Sequence, residues 1–85
     1  MENIIAVFKS RNMAMQFASY FKRMGINAKT INTPRELSVS CGLSVIFNVK
    51  FLPQAKSLIE KYGYKNNVKL YVSGGDLYGK FRQIY

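Results

Sequence analysis

The chain has no histidine, one cysteine and four acidic residues among its 85. Each shortage closes off a chemistry. A lone Cys41 without an imidazole makes a poor zinc site and cannot form a Cys–His catalytic pair. Glu2, Glu36, Glu60 and Asp76 stand far apart in sequence, which disfavours a hard-metal cage or a carboxylate pair. The residues therefore imply no metal and no cofactor. A single cysteine cannot close an internal disulfide, which fits a reducing, cytoplasmic setting. No run is long and apolar enough to span a bilayer, so no membrane partner is expected. The start, MENIIAVFKS, lacks a basic stretch followed by a small-residue cleavage site, so no signal peptide is expected. Gly74-Gly75 follows a predicted strand at a spacing that matches neither a Walker loop nor a dinucleotide fingerprint, and reads as a turn.

What is present is enough for one small domain. Hydrophobic residues make up 48% of the chain, more than a disordered segment would carry. The formal net charge of +9 attracts polyanions or an acidic protein partner. The basic residues run from Lys9 to Arg82 without a block of five or six, as a solvated basic surface would also show.

Hydrophobic periodicity orders the elements. Residues 4–8 are continuously apolar and read as a buried strand. Ser10 caps a helix over about residues 11–24, on which Ala14, Phe17, Ala18 and Phe21 form one stripe. Gly25 stops it, with Ile26 placed to pack back. Residues 28–32 make a short mixed strand. Thr33-Pro34-Arg35-Glu36 is a capping box with proline at the first helical position, predicting one helical turn to about Ser38. Leu43, Val45 and Phe47 alternate with Ser44, Ile46 and Asn48 in a third strand. Pro53 suits the first turn of a second helix with a buried stripe of Ala55, Leu58, Ile59 and Tyr62, ended by Gly63. Val68, Leu70 and Val72 alternate with Lys69, Tyr71 and Ser73 in a fourth strand.

The order βαββαβ predicts an α+β ferredoxin-like sandwich, a four-stranded antiparallel sheet with two helices on one face. Its first and third strands should be central, and its lysine-bearing second and fourth strands should be edges. Phe17, Phe21, Val45, Phe47, Leu58, Ile59 and Leu70 should form the core. The domain should span residues 1–75. Residues 76–85 form a tail, either a helical stripe of Leu77, Phe81 and Ile84 or an edge strand. The sheet's second face, with Ile46 and Tyr71, should be covered by this tail around Tyr78, Phe81 and Tyr85, or by a second subunit in a homodimer.

Cys41 has two readings on its residues alone. Unpaired cysteines are commonly buried and inert. It shares the parity of Leu43, Val45 and Phe47, so a strand begun two residues earlier would aim the thiol at the core. The context argues the other way. Gly42 interrupts the strand pattern, Ser38 and Ser40 make the approach polar, and the connection is longer than a hairpin needs. Backbone N–H groups and Arg35 nearby would favour the thiolate, the reactive form, and lower the thiol pKa from its ordinary value of about 8.5.

The stretch TPRELSVSCGLSVIF resembles the core motif of the selenium/sulfur carrier protein-like family, a set of small domains. Its parts here are the turn Pro34-Arg35-Glu36-Leu37, the serine-rich step with Ser38 and Ser40, and Cys41-Gly42-Leu43 leading into an apolar strand. The likeness extends more loosely over about residues 4–72, including the Met24-Gly25-Ile26 helix stop. Family members often have alanine after the leucine, where this chain has Ser44. The basic charge and the tail after Val72 are not covered by the resemblance. The resemblance implies a carrier rather than an enzyme. Cys41 would accept sulfur or selenium as a persulfide or selenosulfide from a cysteine desulfurase-type donor and pass it to an acceptor protein. Arg35, Ser40 and the Gly42 backbone would support the thiol, Arg35 and Gly42 by steadying its charge. Arg35 as a plain surface residue, and the serines as turn chemistry only, are the alternatives.

Two other classes stand beside the carrier. Ferredoxin-like sheets bind RNA through rings on the open face backed by basic residues. Here the third strand offers Ser44, Ile46 and Asn48 instead of stacking rings, so a nucleic-acid module is the weaker reading. The third class is a protein-interaction domain with an inert cysteine.

Overall fold

The computed structural model describes residues 3–34, 37, 42–73 and 82–85. Its strands are β1 (Asn3–Phe8), β2 (Ala28–Asn32), β3 (Leu43–Asn48), β4 (Val68–Ser73) and β5 (Arg82–Gln83). Its helices are α1 (Arg11–Arg23) and α2 (Leu52–Lys61), the latter preceded by a 3₁₀ turn at Val49–Phe51. One sheet runs in the order β2-β3-β1-β4-β5, and every neighbouring pair is antiparallel. The first four strands and two helices make the expected α+β sandwich. β1 and β3 are central because they are apolar enough to be covered on both sides.

Local chemistry sets the helix limits. The Ser10 hydroxyl accepts the Met13 N–H at 3.1 Å, meeting one of the four free donors at the start of α1. At its end Gly25 takes φ +76°, the Ile26 N–H reaches the Phe21 carbonyl at 2.9 Å and the Gly25 N–H reaches Lys22 at 3.1 Å. This Schellman turn swings Ile26 back into the core. Helix α2 closes in the same way: Gly63 has φ +73° and the Tyr64 N–H reaches the Ile59 carbonyl at 2.9 Å.

The second turn corrects one expectation. Tyr62 is not part of the buried stripe. It caps the helix, is 42% exposed, and stacks on Tyr20 with ring centroids 4.5 Å apart. The helix ends one residue before it, and Gly63 carries Tyr64 inward instead. Tyr64 meets Phe8 edge-on at 5.9 Å, and its hydroxyl donates to Gln16 Oε1 at 2.9 Å.

Both helices pack on one face of the sheet. Ile4, Ala6, Phe8, Val45, Phe47 and Leu70 from the strands meet Ala14, Phe17, Phe21, Ala55, Leu58 and Ile59 from the helices. All seven expected core residues are buried there. Strand β4 is not an edge. Val72 pairs with Arg82 and Tyr71 with Gln83, and the Ile84 N–H donates to the Leu70 carbonyl at 2.8 Å. Of the two tail conformations expected, residues 82–83 take the strand. Tyr85 does not cover the second face; with Ile84 it packs against the helix-side core. Tyr78 and Phe81 lie outside the described residues.

Burial raises the Tyr64 phenol above its ordinary 10.0, and the neighbouring Tyr20 and Tyr62 phenols raise it further. The fold thus holds the proton more tightly than the unfolded chain does. This contribution to stability is complete below the unfolded value and is lost as pH rises through the raised one. Urea midpoints taken between about pH 9 and pH 11 should fall more steeply for the wild type than for Tyr64→Phe. Parallel slopes would show that Tyr64 does not couple folding to alkaline pH.

Candidate functional site

Residues 33–42 connect β2 to β3, and of these the structure describes residues 33, 34, 37 and 42. On the second face, cross-strand pairing makes a row of Ile31, Ser44, Val7 and Lys69, and beside it a row of Lys29, Ile46, Ile5, Tyr71 and Gln83. The second row is apolar at its centre and basic or polar at its ends, whereas the first has the buried Ser44 and Val7 at its centre and Ile31 and Lys69 at its ends. Leu37 of this connection covers the centre. Leu37 is 5% exposed and packs on Ile5 and Val7, with Ile31, Ile46 and Tyr71 around them. Among the described residues, Leu37 of the loop covers this patch, while Tyr78 and Phe81 of the expected tail cover lie outside the described residues.

Three hydrogen bonds hold the described part of the loop. The Thr33 N–H donates to the Gly42 carbonyl at 2.9 Å and closes the loop at its base. The Leu37 N–H donates to the Pro34 carbonyl at 3.0 Å, a tight turn within the predicted capping-box segment. The Thr33 and Ser44 hydroxyls bond to each other. Ser44 is fully buried and is the only buried polar side chain among the described residues. Thr33 satisfies it, so serine at this place costs no unpaired hydroxyl. Ser44 thus ties the loop base to β3.

Gly42 has φ +74°, a conformation that L side chains rarely adopt, and it is exposed. Strand β3 begins only after it, at Leu43. Cys41, Arg35 and Ser40 lie outside the described residues, as do Glu36 and Ser38. Of the expected site residues, Gly42 is the one described, at the base of the loop and one position from the thiol in sequence.

Two features were not read from the sequence. In the sequence Leu37 reads as one letter of a turn motif, although a leucine in a polar loop opposite an Ile5–Val7 face is a signal for packing. The Thr33–Ser44 pair joins residues eleven apart and had no local signature. Among the described residues no cluster of histidine, cysteine and carboxylate side chains forms a metal site, and no helix is long and apolar enough to cross a membrane.

A sequence model of the family described as "Putative Se/S carrier protein-like" matches residues 3–68. No curated protein and no solved structure matches the chain.

Proposed function

The chain belongs to the Putative Se/S carrier protein-like family, and from that premise we propose that it carries sulfur or selenium on Cys41 without catalysis of its own. The observation that supports this reading is the extent of the match. It takes in β1 to the first residue of β4 and the whole loop that bears the thiol.

The chemistry needs one nucleophile and no oxidant. The Cys41 thiolate attacks the outer atom of a donor persulfide, R–S–SH. A new S–S bond forms, the donor S–S bond breaks, and the donor cysteine leaves as a thiolate with the electron pair. The proton stays on the transferred sulfur. A selenosulfide donor, R–S–SeH, reacts in the same way. Delivery repeats the step with an acceptor thiolate attacking and Cys41 leaving. Donors of this kind are cysteine desulfurase-type proteins, and the setting is the reducing cytoplasm.

The described geometry suits a carrier loop. Its base is closed by the Thr33–Gly42 bond and its middle is anchored by Leu37, so the segment that enters a partner's site starts from a fixed frame. Supporting roles for Arg35, Ser40 and the Gly42 backbone belong to this proposal. The second face supplies little for the nucleic-acid reading. Tyr71 is its single ring among the described residues, and Leu37 occupies the centre.

Intact-protein mass spectrometry tests the proposal. After incubation with a persulfide donor, the wild type should gain the mass of one sulfur atom, and Cys41→Ser should gain none while folding normally. Native Cys41 should be alkylated near neutral pH without denaturant, whereas a core thiol reacts only when the domain opens. A thiol silent until denaturation, with a strongly destabilised serine variant, would defeat the carrier reading.

A further inference from the structure

Strand register places a second feature beside the carrier loop. Beyond the Val7–Ser44 pair, β1 runs out into Phe8 and Lys9 while β3 runs back into Leu43 and Gly42. At the same end Val68 pairs with Phe8, and the Lys9 N–H donates to the Asn67 carbonyl at 3.0 Å. A cleft of about 740 Å³ opens there. Lys9, Lys65 and Lys69 line it, and Tyr85 forms part of its wall. Lys65 and Lys69 are exposed. Glu60 also lines the cleft and is the one acidic side chain among the described residues, so positive charge predominates among the described lining side chains.

Three occupants would match that charge: a nucleic acid, a small anion or an acidic stretch of protein. Single-stranded RNA needs exposed rings on which bases stack. Here Phe8 is 1% exposed and shut into the core, leaving Tyr85 alone. A small anion is best held by donors converging in an enclosed site. This cleft is open, and its lysines are spread over the β1 exit, the turn after α2 and β4. An acidic segment with an apolar side chain fits better. Its carboxylates meet the separated ammonium groups, and its apolar group meets Tyr85. A carrier must also let its partner go, and a small, charge-steered contact allows fast arrival and fast release.

We propose that this cleft docks an acidic, partly apolar segment of the protein that exchanges sulfur or selenium with Cys41. Its purpose rests on the carrier reading, but its binding does not need the thiol. The position matters because the cleft and Gly42 leave the sheet at the same end. A partner seated there has its reactive group beside the carrier loop.

The test uses the full chain and a fluorescein-labelled decapeptide of glutamates with one phenylalanine, followed by anisotropy. Binding should be saturable and weaken about tenfold between roughly 50 and 200 mM salt. Amide resonances of residues 65–69 and 83–85 should move. The pair Lys65→Glu and Lys69→Glu should weaken binding by about tenfold or more. The pair Lys22→Glu and Arg23→Glu makes the same charge change at the far end of α1 and should alter it by no more than about twofold. Equal loss in both variants would reduce the effect to net charge and overturn the proposal. So would absence of saturable binding, tighter binding of a labelled oligouridylate, or displacement of the peptide by low concentrations of inorganic phosphate. Cys41→Ser should bind the peptide like the wild type. If it does while sulfur loading of the wild type fails, the carrier reading falls and the docking site stands. If loading from a small polysulfide succeeds but the peptide does not bind, the docking site alone is rejected.

Discussion

Phe17→Ala should cost about 3–5 kcal/mol, because it empties the centre of the helix-side core. Phe17 is completely buried and is the ring on which the others converge. Its centroid lies 4.8 Å from Phe21, 5.1 Å from Phe8, 6.3 Å from Phe47 and 6.4 Å from Tyr64. Those partners come from α1, β1, β3 and the turn after α2, so the cavity would loosen every layer contact at once. At roughly 0.05–0.15 kcal/mol per residue, a chain of this length holds about 4–13 kcal/mol in all. The substitution would therefore leave a marginal fold. Met15 on the same helix is 57% exposed, and Met15→Ala should change stability by no more than about 0.5 kcal/mol. Urea unfolding of both variants gives the comparison. A Phe17→Ala midpoint close to that of Met15→Ala would contradict the packing described.

Leu37→Asp is expected to release the loop from the sheet. The new carboxylate would face Ile5 and Val7 without a partner, at a place where the native side chain is 5% exposed. The loop can escape that penalty by lifting away, which limits the cost to about 2–4 kcal/mol. Lifting bares Ile5 and Val7 together with Ile31, Ile46 and Tyr71, a contiguous apolar patch on a sheet face. The variant should therefore self-associate more strongly with rising concentration than the wild type, as light scattering would report. Exchange of the Thr33 amide, whose partner is the Gly42 carbonyl, should also accelerate. Leu37→Met keeps an apolar cover and should do neither. A Leu37→Asp protein with unchanged stability, association and exchange would mean that Leu37 does not hold the loop down.

Much of the fold was legible because its signals are local. Alternation over residues 43–48 and 68–72 specifies strands half-covered on each side. The Ala14, Phe17 and Phe21 stripe specifies a helix with one buried face, and Gly25 and Gly63 mark where each helix must turn back. The misses arose where a residue's fate depended on something distant. Tyr62 fits the stripe of α2 by spacing, yet the helix ends first and Tyr64 takes the inner place. Strand β4 carries lysine like an edge, yet residues 82–83 pair with it. For the candidate site, the motif around Cys41 was legible as a family resemblance. The Leu37 cover and the Thr33–Ser44 bond that frame it were not.

The sequence by itself determined the order of the elements, the places where glycine ends each helix, and the range of chemistry open to the chain: one thiol, no imidazole and a large positive charge. Each depends on residue type or on spacing within a few residues. Only the tertiary structure decided that Leu37 packs on the second face, that Ser44 is buried and satisfied, and that Lys9, Lys65 and Lys69 share a cleft at the end of the sheet where Gly42 emerges. The reason is register. Val7, Ser44 and Lys69 are far apart along the chain and become neighbours only when β1 pairs with β3 on one side and β4 on the other. A shift of one residue in either pairing would turn the same side chains to the opposite face.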